Sequence, residues 1–399
     1  MDKGATISNR KLLGIAGLGW MFDAMDVGML SFVIAALQKD WNLSVQQMGW
    51  IGSVNSIGMA VGALVFGLLA DKVGRKSVFI ITLLLFSIGS GLSAFATTLA
   101  VFLLLRFFIG MGLGGELPVA STLVSETVEA KERGKVVVLL ESFWAGGWLV
   151  AALISYFVIP RFGWEAAMLL SALPAFYALY LRWNLPDSPR FQPSVKKQSA
   201  FEKIRIVWSS QYVKPTIMLW ILWFCVVFSY YGMFLWLPSV MVLKGFSLIK
   251  SFEYVLIMTL AQLPGYFTAA WLIERAGRKF VLITYLVGTA VSAYFFGQAE
   301  SLPMLIASGV FLSFFNLGAW GALYAYTPEQ YPTEVRGTGA GMAASFGRIG
   351  GIFGPLFVGY LVAQKTAVSS IFMLFCAAII IGALSVLFLG RETKQKELA

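Results

Sequence analysis

The sequence predicts an all-α membrane protein with twelve transmembrane helices in two pseudo-symmetric six-helix bundles. Three observations carry that expectation. Hydrophobic residues make up 58% of the 399 residues and charged residues 13%, against ~25% charged in a soluble domain; the mean hydropathy is +0.78. Apolar segments of the length a bilayer demands, about 20 residues, recur along the whole chain with short polar breaks between them. Finally, a charged string occurs twice, 203 residues apart. Residues 67–76 read GLLADKVGRK and residues 270–279 read AWLIERAGRK, so Asp71 maps onto Glu274, Gly74 onto Gly277, Arg75 onto Arg278 and Lys76 onto Lys279. The same offset pairs Glu126 with Glu329 and Arg133 with Arg336. A constant offset held over that distance marks a duplicated unit, and duplicated membrane halves imply a moving site between them.

Taken in order, the spans are predicted near 12–37, 48–70, 77–97, 99–125, 134–159, 164–185, 216–242, 251–272, 280–299, 301–326, 338–362 and 366–389. The first follows Lys3, Arg10 and Lys11 and has no small-residue cleavage site, so it reads as a retained helix rather than a signal peptide. The break between the third and fourth rests on Thr97 and Thr98. The longest polar stretch, 186–215, joins the sixth and seventh spans and carries Lys196, Lys197, Lys203, Arg205 and Lys214. It divides the chain into an N-terminal bundle (1–187), a linker (188–214) and a C-terminal bundle (215–399). Twelve spans use roughly 240 residues, which leaves no room for a soluble catalytic domain.

Lysine and arginine concentrate at the N-terminus, in the repeated strings, in the linker and at the C-terminus, whereas the alternate loops hold Lys39, Arg161, Lys244, Lys250 and Lys365. The positive-inside rule then places both termini in the cytoplasm. The net charge of +10 reads as topology and contact with anionic lipid, not as a nucleic-acid footprint. Glycine clusters inside the spans, at 110, 112, 114 and 115, at 146 and 147, and at 347, 350, 351 and 354. Such small residues let helices approach closely, for static packing or for sliding.

The chain has no histidine, so proton chemistry must fall to carboxylates. Cys225 and Cys376 lie inside apolar stretches, which argues against a disulfide framework or a thiolate metal site. With no metal-ligand spacing and no phosphate-binding glycine loop, an enzyme is not expected and no cofactor is implied. The informative residues are charges inside the spans: Asp23, Asp26, Arg106, Glu116, Glu141 and Arg348. Buried charge is expensive in lipid, so each is a functional candidate. Fully ionised they sum to an acidic excess, which a low-dielectric cavity disfavours, so at least one carboxylate is expected to hold a proton. Asp23 and Asp26 share one helical face and are expected to titrate together. Arg348 offers a two-pronged fork to a carboxylate, either a substrate's or that of Glu141 or Asp23. Glu116 precedes Pro118 and either caps or locks its helix or meets substrate. Trp144, Trp148, Tyr230, Tyr231, Trp236, Tyr324 and Tyr326 are candidate stacking rings, and Asn55, Gln262 and Asn316 are candidate polar contacts.

The repeated strings resemble the loop signature of the major facilitator superfamily. RFFIGMGLGGE at 106–116 is similar to that superfamily's fourth-helix pattern, PDSPRF at 186–191 to the end of its sixth helix, and RETK at 391–394 to a C-terminal motif in which proline replaces the arginine. FDAMDVGMLSF (22–32), ESFWAGGW (141–148) and ASFGRIGG (344–351) most resemble the bacterial niacin permeases. The resemblance implies proton-coupled import of nicotinate or nicotinamide across the bacterial cell membrane by a monomer working through alternating access. It implies Asp26 as the proton site, with Asp23 beside it and Arg106 as counter-charge. Arg348, Glu141, Trp144, Tyr230, Gln262 and Asn316 would line the substrate cavity. Asp71, Arg75, Glu126 and Arg133, with their repeats Glu274, Arg278, Glu329 and Arg336, would form a cytoplasmic gate. Alternatives are symport of another aromatic carboxylate, an organic ion or a sugar, or a transport-inactive nutrient receptor; Arg348 argues against sugar, which neutral side chains serve.

Overall fold

A computed structural model describes residues 9–73, 75–127, 133–184, 200–332 and 335–394. These form sixteen helices: α1 (Asn9–Asp40), α2 (Val45–Val73), α3 (Arg75–Ser93), α4 (Leu99–Thr127), α5 (Arg133–Phe162), α6 (Trp164–Leu170), α7 (Pro174–Asn184), α8 (Ala200–Val207), α9 (Val213–Phe234), α10 (Leu237–Leu243), α11 (Leu248–Leu260), α12 (Gln262–Ala276), α13 (Arg278–Gln298), α14 (Leu302–Glu329), α15 (Arg336–Ala363) and α16 (Val368–Leu389). Among the described residues eleven helical segments are long and apolar enough to cross a membrane, and α2, with 29 residues, packs beside them as the twelfth.

Three expected spans are broken. The sixth is α6 and α7, the seventh α9 and α10, the eighth α11 and α12. Proline explains the first two restarts: Pro174 opens α7 and Pro238 lies in the first turn of α10, positions where its missing N–H has no helical partner to lose. Pro264, early in α12, likewise withholds a backbone donor just after the break at Ala261. The linker contributes α8, a short helix the hydropathy pattern does not announce.

The helix ends are set by local chemistry. Ser44 and Gln47 cap α2 reciprocally, with Gln47 N donating to Ser44 Oγ over 3.2 Å and Ser44 N donating to Gln47 Oε1 over 2.9 Å. Thr98 Oγ accepts from Val101 N at 3.4 Å, so the weak break expected at 97–98 is the capped start of α4. In the second copy of the repeated string, Gly277 takes φ 98° between α12 and α13, a turn that glycine makes without steric cost; Gly74 lies outside the described residues.

In the first half α1 packs on α5, and α4 packs on both α2 and α3; in the second, α9 packs on α15 and α16, and α13 on α14 and α16. Contacts of α2 with α15, and of α5 with α11, α12 and α14, join the two sets. Glycine sets the closest of these approaches. A Cβ placed on Gly58 or Gly62 of α2 would fall 2.2 or 2.0 Å from carbonyl oxygens of α4, and one on Gly110 or Gly114 of α4 would fall 2.3 or 2.0 Å from those of α2. Large apolar side chains such as Phe95, Phe176, Trp183 and Phe388 face outward, as a lipid-facing surface requires.

Candidate functional site

The apolar stretches of α1 and α4 carry their charges into the interior, where one network ties five helices together. Asp26 of α1 forms an ion pair with Arg106 of α4, and neither side chain is exposed at all (0% each). Ser90 Oγ of α3 donates to Asp26 Oδ1 at 2.6 Å. Arg106 Nε donates to Asn55 Oδ1 of α2 at 2.9 Å, and Asn55 Nδ2 to the Met59 sulfur at 3.6 Å. Arg348 Nη1, from α15, approaches the same sulfur at 3.6 Å. Met59 therefore stands between the first-half ion pair and the second-half arginine.

Asp23 lies outside this network. Its carboxyl faces Glu116 of α4, and the charge of Asp26, three residues along α1, also acts on it. The expectation that Glu116 caps a helix is corrected by α4, which runs on through Pro118 to Thr127; Glu116 is an interior residue. Glycine makes its position possible, since a Cβ on Gly19 would lie 2.7 Å from Glu116 Oε1.

On the facing side, Trp144 of α5 donates its indole N–H to the Tyr230 hydroxyl of α9 at 2.8 Å. The Tyr230 ring lies 4.8 Å from Trp320 and 5.1 Å from Phe234, centroid to centroid, and Trp148 meets it edge-on at 6.4 Å. Tyr231 sits against Arg348. Glu141 of α5 faces Tyr266 and Tyr324 and forms no ion pair with Arg348 among the described residues. Glu141 Oε2, the Tyr266 hydroxyl, both amide atoms of Gln262 and Asn316 Oδ1 have no hydrogen-bond partner among the described residues. Two expected rings fall elsewhere: Trp236 packs by Gly359, and the Tyr326 hydroxyl donates to Arg391 O at 2.8 Å.

The centre is closed around these groups. Asp23, Glu141, Trp144, Tyr230, Gln262 and Asn316 are each at most 3% exposed. Cavities of about 390 and 430 Å³ lie instead at the edges, by Lys11 and Tyr177 and by Phe295 and Phe311; neither touches the charged core.

A second charged cluster sits at the end of the bundle. Arg278 grips Glu274 with two bonds of 3.0 Å and reaches Glu329 at 3.1 Å. Burial pushes the Glu329 carboxyl up from its ordinary value, against the pull of Thr393 and Arg278. The backbone amides of Arg278 and Lys279 both donate to Glu392, at 3.0 Å each, so a C-terminal carboxylate caps α13. Every described partner here belongs to the second half. The side chains of Asp71, Arg75, Glu126, Arg133 and Arg336 lie outside the described residues.

Sequence reasoning did not single out Ser90, Met59, Tyr266, Trp320 or Glu392 for these roles. Ser90 is one of three serines, with Ser87 and Ser93, at helical spacing, and only the fold says which one meets Asp26.

A twelve-span helical bundle with paired and unpaired charges sealed at its centre defines a membrane transporter. The chain belongs to the Major Facilitator Superfamily, which residues 16–265 and 254–399 match. It is 71% identical over 399 residues, the whole of both chains, to the putative niacin/nicotinamide transporter NiaP of Bacillus subtilis. It is 47% identical to the niacin transporter NiaP of Acinetobacter baylyi, covering 97% of this chain and 95% of that one. The fold matches the crystal structure of a D-xylose–proton symporter with a TM-score of 0.80 at 21% identity, covering 97% of this chain and 99% of that one.

Proposed function

We propose that this transporter imports niacin, as nicotinate or nicotinamide, together with protons. The observation that carries the reading is Arg348. It lies at the interface of the two helix sets beside Tyr231, and among the described residues no carboxylate lies within ion-pair distance of it. A guanidinium so placed holds a carboxylate by two parallel bonds. The rings of Trp144, Tyr230 and Trp320 offer faces for a flat heterocycle, and Glu141, Gln262 and Asn316 offer hydrogen bonds to a ring nitrogen or amide. The names of the Bacillus and Acinetobacter relatives support the same cargo. Proton drive is supported by the buried carboxyl surplus of Asp23, Asp26 and Glu116 around Arg106.

The working cycle is alternating access, with residues 1–187 rocking against 215–399 about the linker 188–214. Both termini face the cytoplasm, as the lysine and arginine bias favours, and the charges around Glu274, Arg278 and Glu329 with their first-half counterparts close the inner side. The working unit in this reading is a monomer.

A thermal-shift screen of the purified protein tests the cargo, because a ligand that binds the folded state stabilises it whether or not it is transported. Nicotinate and nicotinamide are expected to raise the melting temperature, with benzoate weaker and hexoses without effect. Stabilisation by hexoses alone would refute the assignment.

A further inference from the structure

We infer that Asp23 and Glu116 form a carboxyl pair sharing one proton, and that this pair, not the Asp26–Arg106 ion pair, takes up and releases the proton that drives transport. The inference rests on the proton-coupled reading above and names its site.

The argument starts from what each acid touches. Asp26 is fully engaged: Arg106 pairs with one oxygen and Ser90 donates to the other. Protonating it would strand a guanidinium that is 0% exposed, and a lone buried charge is among the costliest arrangements a membrane interior offers. That ion pair is built to stay. Asp23 and Glu116 are the reverse case. They are 2% and 0% exposed, Glu116 Oε1 sits against Gly19, one helical turn before Asp23 on the same face of α1, and none of their four oxygens has a hydrogen-bond partner among the described residues. Ionised carboxylates only accept, so two of them face to face have no bond to make. One added proton turns the contact into an O–H···O⁻ bond, among the strongest in proteins. Like charges so close cannot both ionise in a dry site.

The surroundings fit a site that empties and fills. The groups facing the pair are Asp26 on the same helix, Arg348 on α15, Tyr231 on α9 and Tyr177 on α7, with Arg106 beyond Asp26. Arg106 is committed to Asp26, and Tyr177 donates to Ile15 O at 2.8 Å; Phe79 of α3 and Phe143 of α5 are apolar. That leaves Arg348 as the cation that acts on Asp23. When Arg348 binds a substrate carboxylate its charge is spent, and Asp23 then favours the protonated form; when the substrate leaves, Arg348 again favours the ionised one. Loading the anion and loading the proton are thereby tied. In the balance of one cycle, an O–H bond forms on the pair from the outer solution, and the same proton leaves to the inner solution after nicotinate. Gly19 belongs to the device, since it admits Glu116 to the side of α1.

The test uses the full-length protein, purified and reconstituted. Infrared difference spectra over a pH titration are expected to show a protonated carboxyl band in wild type that Glu116→Gln and Asp23→Asn each shift, that Asp23→Asn/Glu116→Gln removes and that Asp26→Asn keeps. In liposomes with an imposed pH gradient, Glu116→Gln is expected to lose accumulation, ending with equal nicotinate inside and out, while nicotinate still raises its melting temperature. Gly19→Ala, which displaces the Glu116 carboxyl, is expected to reduce accumulation in the same assay. If Glu116→Gln and Asp23→Asn both accumulate nicotinate like wild type, or the infrared band is unshifted in both or persists in Asp23→Asn/Glu116→Gln, the inference is overturned. If wild-type transport ignores the gradient, proton drive itself is wrong and the coupling role falls with it; the infrared band then still decides whether the pair holds a proton.

Discussion

The indole N–H of Trp144 donates to the hydroxyl of Tyr230 across 2.8 Å, which ties α5 of the first helix set to α9 of the second. Both groups are buried, and the hydroxyl oxygen satisfies the indole donor in a region where water does not reach. Tyr230→Phe removes the acceptor and strands the indole donor, a loss of about 1–3 kcal/mol. The variant is expected to melt at a lower temperature than wild type, and Trp144→Phe/Tyr230→Phe to lose less than the sum of the two single changes. A strictly additive double variant in thermal unfolding would show that the bond contributes nothing to the closed arrangement.

The Asp26–Arg106 pair predicts a different pattern. Removing one partner leaves its opposite charge buried and alone, which costs about 3–5 kcal/mol. Arg106→Gln is therefore expected to reduce the yield of folded protein sharply. Asp26→Asn/Arg106→Gln, which removes both charges, is expected to recover much of that loss. Size-exclusion profiles and melting temperatures of the two variants beside wild type measure it.

Arg348 gives a prediction about cargo. Arg348→Lys keeps the charge and loses the planar fork. A lost charge-assisted bond is worth about 1.5–3 kcal/mol, so the apparent affinity for nicotinate is expected to fall by about tenfold or more. Nicotinamide carries no carboxylate and is expected to lose much less. Equal losses for the two ligands in competition uptake assays would mean that Arg348 holds the architecture rather than the acid.

These residues also show how far the linear chain could be read. Asp26, Arg106 and Arg348 stood out because each is a charge in an apolar run, which the membrane makes conspicuous before any fold is known. The turn at Gly277 was legible from the repeated string. What could not be read was the choice of partner. Asp23 and Asp26 share a helix face, yet one meets Glu116 and the other Arg106, because the pairing is set by how α4 lies against α1. The breaks at 171–173 and at Ala261 were hidden for another reason: hydropathy sums side chains and does not register a backbone that restarts inside an apolar run. The Glu392 cap on α13 joins residues far apart in sequence, and no local pattern marks it.

The glycines of α2 and α4 supply the last prediction, because they decide whether the ion-pair network can form. A methyl on Gly110 would lie 2.3 Å from the backbone oxygen of Asn55, the residue whose side chain accepts from Arg106. Backbone cannot swing aside as a flexible side chain does, so Gly110→Ala must push α4 away from α2 and stretch the Arg106–Asn55 bond. Overpacking of this kind costs about 1–3 kcal/mol, more than the ~1 kcal/mol that alanine gains over glycine within a helix. Gly341→Ala in α15 provides the contrast, since nothing lies within 4 Å of its added methyl, and it is expected to leave stability unchanged or slightly raised. Thermal unfolding of the two variants side by side separates them: a Gly110→Ala protein as stable as Gly341→Ala would mean that α2 and α4 are not held together as closely as their glycines allow.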